Sequence, residues 1–296
     1  MNQATLATGD RRLTSDVYEH DFDRKALNTL KRIPAFPFIV RKMNEMGFER
    51  MSRIACTGSY LRITPRNFPE LYQLLQQACD ILAIDKLPLF YVEPEGTTVQ
   101  SYALGVEQTI IVVNRYAVDF LSQEELLFVI GHELGHIKSE HMLYTQMASY
   151  FPALSNAIGN VTLGIGSLAT SGVELALLHW SRMAEFTADR AGLLTCQDMG
   201  VATQTMLKLA GLPEKYVERA VMDDFIAQAR EFDDYNYDNL DKLAKVLSTL
   251  NRTHPWTVFR VAELLKWIDA GEYAQALGHF LTDSSMPVRA KPSMSN

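Results

Sequence analysis

The sequence predicts an α+β protein that is mostly helical, with a small β-sheet directly before one buried helix. Three short extended runs at 89–92, 99–104 and 109–113 are separated by proline and glycine, which is typical of strands joined by turns. They lead into a helix that begins near Ser122 and contains the pentapeptide HELGH at 132–136. The second half of the chain is predicted to be almost entirely helical.

Other elements follow from local signals. Short helices are predicted at 23–32 and 36–46, separated by Pro34, and a strand at 59–64. A helix begins at 67–70, where proline and glutamate occupy the first turn, and runs to about residue 83. The later predicted helices cover 181–196, 199–209, 214–230, 240–250, 256–270 and 273–281. The acidic, aromatic segment 231–239 is interpreted as a solvated linker.

Composition excludes several classes of protein. The chain has 296 residues, of which 47% are hydrophobic and 21% charged, as in globular proteins. Its net charge is −7 and its basic residues are scattered, so no nucleic-acid partner is predicted. The three cysteines form no metal-binding spacing and fit a reducing, cytoplasmic compartment. Segment 158–178 is apolar but contains Glu174 and four glycines, which favours a buried or pocket-covering helix over a membrane span.

The pentapeptide carries the chemistry. Residues four apart lie on one face of a helix, so His132 and His136 can hold one metal ion between them. Glu133 follows the first ligand and can reach a metal-bound water, as in a zinc hydrolase and specifically a metalloprotease. Ser122 and Glu125 have the spacing of a capping box and predict where this helix begins.

A catalytic zinc site needs a third protein ligand and one open position for water. The three-histidine pattern is not predicted, because Ser139 and Met142 occupy the positions of its glycine and last histidine. His141 lies five residues past His136 and is expected at the surface, off the ligand face. The other candidates are a well-placed carboxylate, His179, His254 and His279.

Glu185 is the best of these candidates. In the run SRMAEFTADRAG at 181–192, Glu185 and Asp189 lie one helical turn apart on one face. Glu185 could bind the metal, and Asp189 could accept a hydrogen bond from a ligating histidine. The alternative is a surface ion-pair array with Arg182. A close approach to another backbone is favoured by the small residues Ala184, Ala188, Ala191 and Gly192.

HELGH followed by SRMAEFTADRAG resembles the M48 family of zinc metallopeptidases over about residues 60–265. The resemblance implies a zincin-like (gluzincin) core, one Zn²⁺ per chain bound by His132, His136 and Glu185, and a catalytic Glu133. The sequence departs from the family at 100–102, where Gln-Ser-Tyr replaces Asn-Ala-Phe, and in a less apolar insert at 142–180. The first departure bears on substrate preference and the second on membrane embedding.

The predicted function is that of a zinc metalloendopeptidase acting on unfolded or extended polypeptides. Glu133 serves as general base, and His254, with Arg260 as a second donor, stabilises the oxyanion. An extended peptide would add as a strand beside 99–104. The alternatives are a zinc-stabilised, chaperone-like binding protein and a latent protease.

The predicted organisation is a flexible lead at 1–20, a single peptidase domain at 21–282, and a flexible tail at 283–296. Insert 142–180 lies between the two metal-binding motifs of that domain. No multi-span membrane protein is predicted, and membrane association and oligomeric state are left open.

Overall fold

The computed structural model describes residues 14–34, 36–37, 40–41, 47–150, 165–216, 219–234 and 255–281. These residues contain four strands: β1 Leu61–Arg62, β2 Leu89–Glu93, β3 Ser101–Leu104 and β4 Ile110–Asn114. The helices up to the pentapeptide are α1 Asp21–Lys31, α2 Phe48–Ser59, α3 Pro69–Ile81, α4 Arg115–Phe120 and α5 Gln123–Lys138. The later helices are α6 Ile165–Cys196, α7 Met199–Leu209, α8 Arg219–Asp234, α9 Thr257–Asp269 and α10 Glu272–Leu281. The α+β, mostly helical class is confirmed.

The sheet has the order β1-β2-β4-β3 and places one strand beside the pentapeptide helix. β2 and β4 are parallel, with Phe90 opposite Ile111, and β3 is antiparallel to β4, with Tyr102 opposite Val112. Every residue of β4 is buried, as expected for a central strand. β3 is the edge strand on the side of α5, with which it is in contact.

Helices α5 and α6 approach each other so closely that glycine occupies several positions of the contact. A Cβ on Gly135 would lie 2.5 Å from the Cβ of Ala191. A Cβ on Gly192 would lie 2.9 Å from the carbonyl oxygen of Phe128. The small-residue surface predicted on α6 is therefore used to bring two backbones together.

The packed part of the chain begins before residue 21, where the predicted domain starts. Residues 14–20 belong to the predicted flexible lead, yet Tyr18 is fully buried in the main core and His20 is also buried. Helix α1 then runs along α6, where Ala26 packs with Trp180 and Ala184. These contacts extend the packed region to before residue 21.

Helix α6 begins at Ile165, well before the predicted start at residue 181. Its buried residues Val173, Leu177, Trp180 and Ala184 follow a helical period, so the packed face of this helix begins before the predicted start. The predicted insert 142–180 is thus helical over 142–150 and from 165 onward. Among the described helices, none has both the length and the hydropathy to cross a bilayer.

Three other predictions differ or lie outside the described residues. α2 was not predicted, because its buried face is formed by Ser52 and Cys56 while Met51 and Ile54 are exposed. As a result, the predicted strand at 59–64 shortens to Leu61–Arg62. The predicted helix at 240–250 lies outside the described residues, and 231–234 continue α8 instead of forming a linker.

Replacing Gly192 by alanine should destabilise the protein. The added methyl group would press on the backbone of α5 at Phe128, so we expect the free energy of unfolding to fall by about 1–3 kcal/mol. The matched control is Gly58→Ala in α2, where nothing lies within 4 Å of the added Cβ. Chemical denaturation measures both, and an equal, small effect of the two substitutions would contradict the close packing.

Candidate metal centre

The pentapeptide residues His132, Glu133 and His136 are all buried in α5. The predicted capping box sets the start of this helix: Ser122 Oγ accepts a hydrogen bond from the N–H of Glu125 at 3.2 Å, and the N–H of Ser122 donates to the Glu125 carboxylate at 2.7 Å. The helical register then places both imidazoles on one face, with ring centroids 4.9 Å apart. The two rings are therefore close enough to bind one metal ion between them.

Glu185 of α6 faces the two histidines. Its Oε2 lies 3.6 Å from His132 Nε2, and its Oε1 lies 3.4 Å from His136 Nε2. One ligand atom from each of the three residues lies within 4.8 Å of the others. Tetrahedral zinc with bonds of about 2.0–2.2 Å separates its ligand atoms by about 3.3–3.6 Å. Donor types and spacing therefore fit one metal ion, whereas the alternative candidate His179 is exposed.

Asp189 lies one turn further along α6 and contacts the other nitrogen of a histidine. Its Oδ1 is 3.0 Å from His132 Nδ1, and Arg260 of α9 donates from Nε to Oδ2 at 2.7 Å and from Nη2 to Oδ1. Burial raises the pKa of the Asp189 carboxyl, but Arg260 and His132 outweigh burial and leave the pKa below its ordinary value. An ionised Asp189 accepts a hydrogen bond from the N–H at Nδ1 of His132, which keeps the proton on Nδ1 and leaves Nε2 free to bind a metal.

His141 is fully buried, so its predicted surface position was wrong. After α5 ends, Glu140 adopts a left-handed conformation with φ 57°, and the N–H of His141 donates to the carbonyl of His136 at 3.0 Å. This turn reverses the chain and brings His141 Nδ1 to 3.0 Å from His136 Nδ1. The usual sequence signal for such a turn is glycine, which is absent here.

The site opens onto a cleft of about 740 Å³, one wall of which is β3. Ser101 of β3 donates a hydrogen bond from Oγ to Glu133 Oε1 at 2.6 Å. The sequence had marked position 101 only as a departure from a family pattern, so this contact was missed. Ser101 precedes Glu133 by 32 residues, so no local signal in the sequence connects the two.

Of the two residues predicted to stabilise the oxyanion, the structure describes Arg260 but not His254. Arg260 lines the cleft, but its Nε and Nη2 are bonded to Asp189 and its Nη1 lies 3.6 Å from Glu185 Oε2. His254 lies outside the described residues, whereas Pro255, the residue after it, is buried and lines the cleft.

Known proteins resemble this chain over most of its length. A chloroplastic metallopeptidase 48 of Arabidopsis thaliana, named as plastoglobule-localized, is 28% identical over 266 residues, which cover 90% of this chain and 76% of the relative. An HtpX protease homologue of Polynucleobacter necessarius is 22% identical, over 73% of this chain and 79% of the relative. For a second HtpX homologue of Methanosarcina acetivorans the identity is 24%, and the match spans 60% of that relative.

No solved structure matches the chain significantly. The family model described as Peptidase family M48 matches residues 65–268. That range covers more than half of the chain and contains the pentapeptide, Glu185 and Arg260. The chain therefore belongs to peptidase family M48, a family of metal-dependent peptidases.

Proposed function

We propose that the protein is a zinc-dependent metalloendopeptidase that hydrolyses peptide bonds in unfolded or extended polypeptides. The observation that carries the proposal is the buried group of His132, His136 and Glu185 beside Glu133, at the floor of an open cleft. Two imidazoles and one carboxylate are the ligand set of a catalytic zinc site, which keeps one position open. A purely structural site would need four protein ligands.

Zinc bound by these three residues would polarise the scissile carbonyl and lower the pKa of a water molecule toward about 7. Glu133 accepts a proton from the attacking water and passes it to the leaving amine. Ser101 holds one oxygen of Glu133 at 2.6 Å, which limits rotation of the carboxylate and leaves its second oxygen for proton transfer. Asp189 keeps the proton of His132 on Nδ1.

The oxyanion requires a hydrogen-bond donor besides the metal. We assign this role to His254, because the residue after it, Pro255, lines the cleft. Arg260 instead holds Asp189 through two of its nitrogens and places a positive charge beside Glu185.

Strand β3 offers a place for the substrate. It is the edge strand of the sheet, and Ser101, Tyr102 and Ala103 line the cleft. A polypeptide that adds to this edge would be held by backbone hydrogen bonds, which depend little on sequence. Such binding suits extended segments and excludes folded helices.

Substituting Glu133 by glutamine should abolish hydrolysis without releasing the metal. Removing a general base typically costs about 10²–10⁴-fold in kcat. The control is Glu124→Gln, an exposed residue of the same helix. Cleavage of a denatured protein and metal content are measured together. Wild-type activity in the Glu133 variant would exclude the mechanism, and a wild-type protein that binds metal but never cleaves would favour the chaperone-like alternative.

Substituting Glu185 by glutamine should reduce the amount of metal bound. An amide oxygen is a weaker ligand than a carboxylate and lacks its charge, so we expect sub-stoichiometric metal after dialysis against a weak chelator. Glu174→Gln, on the same helix and away from the cleft, serves as the control. Unchanged tight binding in the Glu185 variant would point to a different third ligand.

Substituting Ser101 by alanine should lower kcat while metal affinity stays unchanged. A hydrogen bond to a charged group is worth about 1.5–3 kcal/mol, and we expect roughly a tenfold loss because Glu133 becomes free to rotate. Ser149→Ala on the rim of the same cleft is the control. A loss of metal in the Ser101 variant would contradict a role confined to Glu133.

A further inference from the structure

The second nitrogen of His136 contacts another histidine. His136 Nδ1 and His141 Nδ1 are 3.0 Å apart, and both rings are buried. Two ring nitrogens at this distance form a hydrogen bond only if one carries a proton and the other does not. The protonation of His136 is therefore tied to that of His141.

The direction of this hydrogen bond follows from the proposed metal site. His136 Nε2 faces Glu185 at 3.4 Å, so in the metal-bound form its lone pair is used by the metal and its proton sits on Nδ1. His141 Nδ1 must then accept that proton's hydrogen bond. The remaining proton of His141 is placed on Nε2.

A buried carboxylate lies where this second proton is needed. His141 Nε2 is 3.0 Å from Asp23 Oδ2, and both side chains are fully buried. The two atoms are close, but their angles do not meet those of a hydrogen bond. The carboxylate of Asp23 therefore attracts the N–H of His141 as a nearby dipole. Trp180 donates from Nε1 to Asp23 Oδ1 at 2.9 Å, and Thr187 donates from Oγ1 to Oδ2 at 2.7 Å.

Asp23 is held in its charged form by these neighbours. Burial raises the pKa of its carboxyl, but the contacts with His141, Thr187 and Trp180 outweigh burial and leave the pKa below its ordinary value. A charged Asp23 acts only as an acceptor, so it favours the proton on Nε2 of His141.

We propose that Asp23 is a positioning residue for the metal ligand His136 and acts through His141. The inference rests on the proposed metal site and adds to it a residue of α1, which lies outside the family-matched range 65–268. The two ligating histidines are thus oriented differently. His132 meets Asp189 directly, whereas His136 is oriented by two residues in series.

The substitution Asp23→Asn should move the proton of His141 from Nε2 to Nδ1. Trp180 can only donate, so an oxygen stays at Oδ1 and the amide nitrogen of asparagine takes the place of Oδ2. The hydroxyl of Thr187, which donates to Oδ2 of aspartate, rotates and accepts from the amide, whose second N–H donates toward His141 Nε2. The proton of His141 then moves to Nδ1, where it faces the proton on His136 Nδ1. Two donors at 3.0 Å repel each other, and His136 is pushed from its ligating position.

The test measures metal affinity by competition with a chelator, together with the visible spectrum of the cobalt-loaded protein. We expect Asp23→Asn to weaken binding about 10–100-fold and to shift the spectrum. Asp21→Asn, an exposed residue of the same helix that pairs with Arg24, should change neither. A folded Asp23→Asn protein with wild-type affinity overturns the proposal. Failure of the wild-type protein to bind metal would instead refute the proposed function.

If Asp23→Asn does not fold, a second pair of variants tests the contact between His141 and His136, through which Asp23 is proposed to act. In His141→Asn the amide oxygen can accept from His136 Nδ1, whereas His141→Phe offers no acceptor, and both leave Asp23 without its histidine. Metal affinity should be retained in the asparagine variant and lost by about 10–100-fold in the phenylalanine variant. Equal affinities in the two variants would overturn the proposal, because they would show that hydrogen bonding to His136 has no effect on the metal.

Discussion

The close approach of α5 and α6 is the constraint on which the metal centre depends. Gly131, Gly135 and Gly192 lie where any added side chain would collide with the facing helix. The proposed ligands are carried on these two facing surfaces, so a wider separation would move Glu185 away from both imidazoles. Protein interiors are densely packed and resist such displacement, which keeps an open ligand set in place before a metal binds.

Charge balance is the second requirement of the site. The charged forms of Glu133, Glu185 and Asp189 carry three negative charges. The positive charge of Arg260 compensates one of them. Two negative charges remain in a buried region, where an unpaired charge is costly. A divalent cation at the proposed site would neutralise them, so the groups assigned to the chemistry also favour binding of the ion. The position of Arg260 opposite Asp189 is thus part of the electrostatics of metal binding.

Features that depend on residues close together in the sequence could be predicted from it. The capping box at Ser122, the helical spacing of the pentapeptide and the small residues around Glu185 each lie within a few turns of helix, so period and spacing were sufficient. His141 was misplaced because the turn before it uses a left-handed Glu140, where no glycine marks it. Asp23 and Ser101 reach the site only through tertiary packing of α1 and β3, which no local pattern encodes.

The metal centre joins residues that are very distant along the chain, from α1 to Arg260 in α9. A polypeptide leaves the ribosome from its amino terminus, and contacts of large sequence separation form only when both partners have been made. The pentapeptide is therefore synthesised long before the guanidinium that holds Asp189. A nascent chain therefore carries an incomplete centre until Arg260 has been synthesised and has reached Asp189.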